Sequence, residues 1–240
     1  MKTMLKIEHL TKQFGDFKAV DDLSLEVKSG QICAFIGHNG AGKTTTLKSI
    51  AGIIPFEGGE IYVDGESVKK NPIKTKMDIG YLPDDPALYE HLTAIDYLNF
   101  VADIYGISAK DRQERIESYA KRLNIYGELG NIISTYSHGM KQKIALISVF
   151  LHKSKLYLFD EPFVGLDPIS SHELKVMMNE ECVRGAAFFY STHVLEVAEK
   201  VCTHVAIIKH GKLVGYGEMG KVKGSKDLEK IFMELENENV

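Results

Sequence analysis

The sequence predicts an α/β fold with an inserted helical segment, and two features of the chain lead to that prediction. Short apolar runs typical of strands occur in residues 1–85 and return in residues 154–217, whereas residues 86–153 carry apolar residues at helical spacing. The 240 residues are 44% hydrophobic and 26% charged, which is enough apolar material for a core and an ordinary share of charge. We therefore expect one folded domain.

Composition argues against several classes of protein. A net charge of -4 is unsuited to a chain that wraps nucleic acid through a basic face, so we expect no nucleic-acid partner. Cys33, Cys182 and Cys202 are far apart and form no CxxC pair, which predicts buried thiols in a reducing cytosol and neither a disulfide framework nor a zinc site. The chain has no run of eighteen apolar residues and no signal-peptide core at its N-terminus, so we expect a soluble cytoplasmic protein.

The N-terminal part predicts strands joined by turns. Apolar residues alternate with polar ones over residues 5–7 and 23–27, and Gly15-Asp16 between these runs predicts a turn. The continuous apolar run over residues 32–36 is typical of a strand buried on both faces. A helix is predicted to follow from Lys43 and to end before Gly52.

The rest of the chain alternates between helical and strand patterns. Helical spacing occupies three segments, residues 94–105, 110–123 and 138–151. Strand patterns return in three runs, residues 156–159, 186–190 and 205–208. The C-terminal residues 227–236 place four apolar side chains on one helical face: Leu228, Ile231, Phe232 and Leu235.

A glycine-rich motif lies between the predicted buried strand and its helix. It matches the P-loop pattern and consists of Gly37, His38, Asn39, Gly40, Ala41, Gly42, Lys43 and Thr44, with Thr45 next in the chain. Glycines let successive N–H groups turn towards phosphate oxygens, and the positive end of the helix dipole points at the same anion. Lys43 would neutralise the β- and γ-phosphates, and the hydroxyl of Thr44 would bind magnesium. The motif predicts a nucleotide site for ATP and Mg²⁺.

A second motif supplies acidic residues. Four apolar residues, 156–159, run directly into Asp160 and Glu161, and the carboxyl end of a parallel strand is where α/β proteins bind ligands. Asp160 would hold magnesium through water, and Glu161 would act as the general base for an attacking water. Alone this pattern is weak evidence for a catalytic site, since many strands end in a solvated loop. Its occurrence together with the P-loop makes the assignment stronger.

Further motifs carry a resemblance to a known family. Ser137-His138-Gly139-Met140-Lys141-Gln142 alone would be a helix cap, but here it precedes the acidic strand. In the same order along the chain come Phe14 before the P-loop, and Gly165-Leu166-Asp167 and Ser191-Thr192-His193 after the acids. Together these motifs resemble those of ATP-binding cassette (ABC) transporter ATP-binding subunits, over residues 3–217.

The resemblance implies a fold and a division of the chain. It implies a P-loop NTPase core with an N-terminal antiparallel β subdomain and an inserted α-helical subdomain. Residues 1–85 and 154–217 would form the core of a single domain. Residues 86–153 would form the helical subdomain, and residues 218–240 a C-terminal helical tail.

The resemblance also implies an activity. Such subunits pair head to tail, so that Ser137 and the N–H of Gly139 would meet the γ-phosphate held by the partner's Lys43. Phe14 would stack on adenine, Asp167 would belong to the nucleotide site, and His193 would hydrogen-bond the γ-phosphate as a catalytic residue beside Glu161 and Lys43. ATP-driven closing and opening of the pair would then drive a membrane permease.

Two departures from the family pattern indicate one branch of the family. Tyr136 begins a signature that keeps the serine and the final glycine, and Asp84 stands where the family usually has glutamine. Asp84 can bind magnesium through water or face solvent, and we favour the contact through water. The variations resemble cassettes of bacterial exporters of drugs and antimicrobial peptides, with a separately encoded permease. The subunit would then lie on the inner face of the cell membrane. Because one chain carries all the paired motifs, a homodimer could have two competent sites, and a heterodimer is the open alternative.

Two alternatives belong to other classes of protein. Soluble cassettes that act on ribosomes or DNA usually carry two cassettes or long coiled-coil insertions, and this chain has neither. A P-loop nucleotide kinase would have a mobile basic lid and no signature. Arg112, Arg115 and Arg122 could imitate such a lid, but their helical spacing suits a solvated face better.

Overall fold

Two β-sheets form the framework of the protein. The computed structural model describes residues 1–224 and 227–237, with side chains described up to residue 234. The strands in this part of the chain are β1 (Thr3–Phe14), β2 (Phe17–Lys28), β3 (Ile32–Ile36), β4 (Gly58–Val63), β5 (Glu66–Ser67), β6 (Ile79–Leu82), β7 (Leu156–Asp160), β8 (Ala187–Thr192), β9 (His204–Lys209) and β10 (Lys212–Glu218). A four-stranded sheet has the order β2-β1-β4-β5, and a six-stranded sheet has the order β10-β9-β3-β8-β7-β6.

Helices surround the larger sheet, and some of them form the inserted segment. They are α1 (Lys43–Ile50), α2 (Pro72–Asp78), α3 (Ala94–Ile104), α4 (Ala109–Arg122), α5 (His138–Phe150), α6 (Pro168–Val183), α7 (Leu195–Val201), α8 (Met219–Lys223) and α9 (Leu228–Asn237). Two short 3-10 turns, Tyr126–Glu128 and Ile133–Thr135, lie between α4 and α5. The predicted α/β class, with an antiparallel sheet and a helical insertion, is confirmed. The side chain of Leu235, predicted to lie on the apolar face of the last helix, is outside the described residues.

The register of the larger sheet brings the predicted motifs to one edge. Strands β3, β6, β7, β8 and β9 run parallel, and only β10 pairs antiparallel, with β9. Ile36 pairs with Thr192, and Asp160 pairs with Ser191. Every residue of β3, β7 and β8 is buried, which explains their continuous apolar sequences. The carboxyl ends of these three strands therefore lead into the P-loop, the acidic pair and the segment that contains His193.

The smaller sheet is antiparallel and packs on one face of the larger sheet. Strands β1 and β2 form a hairpin that pairs Phe14 with Phe17 across the predicted turn. Buried residues of this hairpin, such as Leu5 and Leu23, share an apolar cluster with Phe35 and Phe189 of the larger sheet. The hairpin tip, with Phe14 and Phe17, lines a cavity together with the start of α1.

The inserted helices begin at side-chain caps. Thr93, Ser108 and Ser137 each precede a helix and accept a hydrogen bond from a backbone N–H of its first turn. Such caps satisfy amide groups that have no partner within the helix. All three helices lie between β6 and β7 in the chain, so the insertion enters and leaves through neighbouring strands of the sheet.

The longest helix, α6, was not predicted from the sequence. Its apolar residues are spread around the helix and its buried positions include Ser170 and Glu181, so helical periodicity is weak. A local signal was present: Asp167 accepts from the N–H of Ser170 as N-cap, and Pro168 occupies the first turn. The three cysteines are free thiols; Cys33 and Cys202 are buried as predicted, whereas Cys182, near the C-terminal end of α6, is only partly buried. Among the described residues, no helix has the length and apolar character needed to cross a bilayer.

Replacing Phe188 with alanine is expected to destabilise the fold. Its ring is fully buried and stacks on Tyr157, with centroids 4.5 Å apart. Truncating a buried phenylalanine costs about 3–5 kcal/mol. The free energy of unfolding from urea titration measures this loss, and Val183→Ala, at an exposed apolar position, serves as control. Equal stability of the two variants would contradict the assigned packing.

Candidate active site

The P-loop takes its shape from glycines where the backbone closely approaches other strands. Gly42 has φ +110°, and a Cβ there would lie 2.3 Å from the carbonyl oxygen of Ala19. A Cβ on Gly37 would lie 2.5 Å from the carbonyl oxygen of Ile208. No side chain fits at either position, so these glycines let the loop turn from β3 into α1.

Lys43 lies at the centre of this loop. Its side chain folds back, and Nζ donates hydrogen bonds to the carbonyl oxygens of Gly37 at 2.6 Å and His38 at 3.1 Å. Burial lowers the pKa of Lys43, and the carboxylates of Glu161 and Asp160 oppose that effect. A phosphate would give this desolvated cation the counter-charge that the loop carbonyls supply only in part.

Asp160 joins the P-loop helix to the larger sheet. Thr44 Oγ1 donates to Asp160 Oδ2 at 2.6 Å, and the hydroxyl of Ser191 donates to the other carboxylate oxygen. Asp160 is 2% exposed, so both oxygens are satisfied by partners from different elements. The sequence did not indicate a role for Ser191, which only the pairing of β7 with β8 brings to Asp160.

The oxygen atoms of Thr44 and Asp160 are suitable ligands for magnesium. A hydroxyl and a carboxylate are the hard oxygen ligands that Mg²⁺ prefers, with water and phosphate oxygens completing its shell. In the described part of the chain, no group of three or more His, Cys, Asp and Glu side chains is arranged to hold a metal ion. Thr44 and Asp160 therefore fit a site that a nucleotide must help to complete.

Glu161 and His193 are in direct contact. His193 Nδ1 lies 2.9 Å from Glu161 Oε1, and the backbone N–H of His193 donates to Oε2 at 3.4 Å. Glu161 has φ +49°, an uncommon conformation for a residue other than glycine. Its N–H is held by the carbonyl and hydroxyl oxygens of Ser191, both at 3.2 Å. The strained backbone turns the carboxylate out of the strand direction towards His193.

Asp84 follows β6 and faces the same acidic residues. It is exposed overall, yet loss of water around its carboxyl and then the negative charges of Asp160 and Glu161 raise its pKa. The side chain of Asp84 thus lies near Asp160 and Glu161, as expected if it contacts magnesium through water. Its contact with magnesium stays a prediction.

Two adjoining cavities surround the P-loop. The first, of about 480 Å³, is lined by Phe14, Phe17, Ala19, Asn39, Gly40, Gly42, Lys43, Thr44, Thr45, Asp84, Asp160 and Glu161. The second, of about 630 Å³, is lined by Gly37, His38, Asn39, Asp84, Glu161, Val164, Thr192, His193, Leu195 and Phe232. Because they share Asn39, Asp84 and Glu161, we call the two together the P-loop trough.

Two aromatic residues of the trough were missed from the sequence. Phe17, 64% exposed, lies opposite Phe14 across the hairpin turn. Phe232 comes from α9, and its ring meets the edge of the His38 ring with centroids 5.0 Å apart. An exposed aromatic next to a turn was a usable signal for Phe17, whereas nothing local links Phe232 to the P-loop.

Four predicted site residues do not line the trough. Ala41 is buried beneath the loop, and its carbonyl oxygen accepts from the N–H of Gly211. Ser137 caps α5, Gly139 lies in its first turn, and Asp167 caps α6. For Ser137, Gly139 and Asp167, the predicted nucleotide contacts stay predictions.

Comparison with known proteins identifies the family. A family model described as ABC transporter matches residues 20–164. The chain belongs to the ABC transporter family. It is 37% identical over 219 residues to an uncharacterized ABC transporter ATP-binding protein of Methanocaldococcus jannaschii, covering 91% of this chain and 79% of that relative.

Two further matches extend over most of the chain. The bacitracin transport ATP-binding protein BcrA of Bacillus licheniformis is 36% identical over 215 residues, covering 89% of this chain and 69% of that protein. A solved structure of the ATP-binding subunit of an ABC transporter matches with a TM-score of 0.93 and 31% identity, covering 98% of this chain and all of that one. The protein is thus the ATP-binding subunit of an ABC transporter, and an ATPase.

Replacing Asp84 with asparagine is expected to stabilise this ABC subunit at neutral pH. A carboxyl whose pKa is raised by folding binds its proton more tightly in the folded state, so its charged form costs stability at pH 7. That cost disappears as the pH falls through the raised pKa, because the wild-type carboxyl then becomes neutral. We expect a higher thermal midpoint for Asp84→Asn at pH 7 and almost no difference near pH ~3, below the ordinary pKa of a carboxyl group.

The matched control for that measurement is Glu114→Gln, an exposed carboxylate on α4. It should leave the midpoint unchanged at both pH values. A midpoint for Asp84→Asn at or below that of wild type at pH 7 would show that Asp84 is not repelled by its neighbours.

Proposed function

We propose that this subunit hydrolyses MgATP as one half of a pair of identical subunits, and that the pair powers a separately encoded permease for export of a drug, an antimicrobial peptide or a related compound. The observation that supports the pairing is a division of the predicted residues. Lys43, Glu161 and His193 meet in one trough, whereas Ser137 and Gly139 lie outside it. A second copy would bring the missing groups.

Within the trough, each group has a defined task. Phe14 offers its exposed ring to the base, and Lys43 with the N–H groups of the loop binds the phosphates. Thr44 and Asp160 would hold magnesium, which would offset the charge of the phosphates. Phe14 lines only the first cavity, and Glu161 lies where the two cavities meet, which supports a nucleotide with its base at Phe14 and its terminal phosphate at the acidic residues.

Glu161 would act as the general base. Its carboxylate accepts a proton from water while the water oxygen bonds to the γ-phosphorus and the bond to the β-phosphate oxygen breaks, releasing ADP and phosphate. His193 is held against this carboxylate at 2.9 Å and would hydrogen-bond the γ-phosphate through its other ring nitrogen. The contact orients both groups towards the same point.

The N-terminus of α5 supplies the reason for pairing. It is a 13-residue helix, and its first backbone N–H groups, near Ser137 and Gly139, form an anion site strengthened by the helix dipole. A γ-phosphate held by the partner's Lys43 is an anion that would satisfy it. Hydrolysis would remove that anion and release the pair.

The proposed cargo class rests on similarity to the bacitracin transport protein and on the variant residues Asp84 and Met140. The permease would choose the compound and would determine the direction of transport. The ATP-binding subunit would be cytoplasmic and would lie on the inner face of the membrane through its contact with that permease.

Replacing Lys43 with alanine is expected to weaken nucleotide binding by tenfold or more, since about 1.4 kcal/mol is lost for each tenfold change and a desolvated charge–phosphate contact exceeds that value. Titration with a fluorescent ATP analogue measures it. Lys48→Ala, on the same helix and outside both cavities, is the control. Unchanged affinity for Lys43→Ala would refute the P-loop assignment.

Replacing Glu161 with glutamine is expected to keep MgATP binding, lower phosphate release about 10²–10⁴-fold and accumulate a nucleotide-bound dimer. Gel filtration with MgATP, compared with the same variant in MgADP, detects that dimer. If the variant stays monomeric in saturating MgATP, the pairing model is wrong.

A further inference from the structure

Lys12 is a buried cation on β1 that the proposed reaction does not use. It lies two residues before Phe14 in the chain, and its side chain is 7% exposed. Its Nζ donates to Glu57 Oε1 at 2.8 Å. An ammonium group removed from water needs a counter-charge, so the place of Lys12 in the fold depends on this contact.

Glu57 contacts three consecutive residues of β1. Besides the ammonium of Lys12, its carboxylate accepts the backbone N–H of Gln13 at 2.7 Å, and its own N–H donates to the carbonyl oxygen of Thr11 at 3.1 Å. The hydrogen bond from Lys12, followed by the one from Gln13, lowers the pKa of Glu57. The carboxylate therefore stays ionised at neutral pH and holds the strand up to the residue before Phe14.

The segment that carries Glu57 lies close to β1 through its own backbone. Gly58 pairs with Thr11, and a Cβ on Gly59, which has φ +82°, would lie 2.3 Å from the carbonyl oxygen of Glu8. Only glycine fits at position 59, because the two backbones leave no room for a side chain. Glu57 is thereby delivered to Lys12 by main-chain packing.

The ring of Phe14 lies against the same cation. Lys12 Nζ is 4.9 Å from the ring centroid, which is within the range of a cation–π contact. Phe14 is 53% exposed at the hairpin tip and lines the first cavity of the P-loop trough, whereas Lys12 does not line that cavity. The contact restricts a ring that would otherwise be free to change rotamer, and it leaves the ring open to a ligand in the cavity.

We propose that Lys12 is a positioning residue for the nucleotide base: held by Glu57, its ammonium fixes the ring of Phe14 in the orientation that stacks on the purine of ATP. This inference rests on the proposed role of Phe14 as the platform for the base. Because the ring is ordered before the nucleotide arrives, stacking costs less conformational entropy and ATP binds more tightly. The phosphates bind the P-loop whether or not the ring is fixed.

The test compares Lys12→Met with Lys12→Arg and with Lys18→Met. Methionine keeps most of the side-chain length without the charge, whereas the guanidinium of arginine keeps the charge and also packs on aromatic faces. Lys18 is the matched control, because it lies on the other strand of the same hairpin and pairs with Asp21 at 2.9 Å in an exposed position.

Binding is measured by displacement of a ribose-labelled fluorescent ADP, once with unlabelled ADP and once with tripolyphosphate, which has no base. For Lys12→Met we expect ADP affinity to fall about threefold to tenfold, a part of what stacking on an aromatic ring contributes. Tripolyphosphate affinity should stay within about twofold of wild type, whereas a general loss of positive charge would weaken both ligands. Lys12→Arg and Lys18→Met should keep the ADP affinity of wild type.

Steady-state ATPase kinetics give a second readout. Lys12→Met should raise KM about as much as it weakens ADP binding and leave kcat within about twofold, because the reacting groups are not displaced. In the Phe14→Ala background, Lys12→Met should have no further effect on either ADP affinity or KM, since the ring that it positions is already absent.

The possible failures can be told apart. If Phe14→Ala keeps wild-type ADP affinity, the proposed stacking on Phe14 is wrong whatever Lys12 does. If Phe14→Ala weakens ADP binding but Lys12→Met does not, or if Lys12→Met weakens ADP and tripolyphosphate equally, the positioning role of Lys12 is wrong while the platform stands. Should Lys12→Met fail to fold, as judged by circular dichroism, Glu57→Ala removes the counter-charge at a half-exposed position, and unchanged ADP affinity in that variant would overturn the inference equally.

Discussion

The site depends on one buried carboxylate. Asp160 is almost wholly removed from water, and an ionised group in that position must be fully hydrogen-bonded. Its two partners, Thr44 and Ser191, come from the first turn of α1 and the end of β8. The same contacts that satisfy the charge therefore hold the P-loop, the acidic strand and the segment leading to His193 in one arrangement.

The surrounding charges are arranged around that carboxylate. Lys43 supplies a desolvated positive charge, while Glu161 and Asp84 add negative charge where the two cavities meet. A polyphosphate alone would meet repulsion from these carboxylates, and a divalent cation bound between them would offset it. Asp84 adds to this repulsion, because the family pattern that the sequence resembles has an uncharged glutamine at its position.

The loop that follows Glu161 is fixed in place by its contacts with helix α5. Residues 162–167, which follow Glu161, contact the start of α5 through backbone at Gly165, through Gln142 and through the Lys143–Asp167 pair. Gln142 and Lys143 are buried, whereas the side chain of Asp167 is 42% exposed, so the close backbone approach and the hydrogen bond of Gln142 add to an ion pair that solvent weakens. Glu161, which we propose as the general base, is thereby linked to the segment proposed to contact a second nucleotide.

Much of the fold could be predicted because the deciding signals are local. The fully buried strands β3, β7 and β8 are continuous apolar runs, and the P-loop pattern needs its glycines and Lys43 at fixed spacing in any such loop. Helix α6 escaped prediction because its buried face includes Ser170 and Glu181, two polar residues that break the apolar pattern. The Ser170 hydroxyl donates to the distant carbonyl oxygen of Leu123, and Glu181 pairs with Arg184 at the end of the helix.

By itself, the sequence determined the α/β class and the nucleotide motif, and it predicted Asp160 and Glu161 beside that motif, since each follows from residue type and spacing. His193 was predicted only through the resemblance to a known family. Only the tertiary structure decided the contacts between distant segments. It placed His193 against Glu161, Ser191 on Asp160, Phe232 beside His38 and Lys143 on Asp167. The physical reason is that such contacts arise from strand order and helix packing, which bring together residues that no local pattern connects.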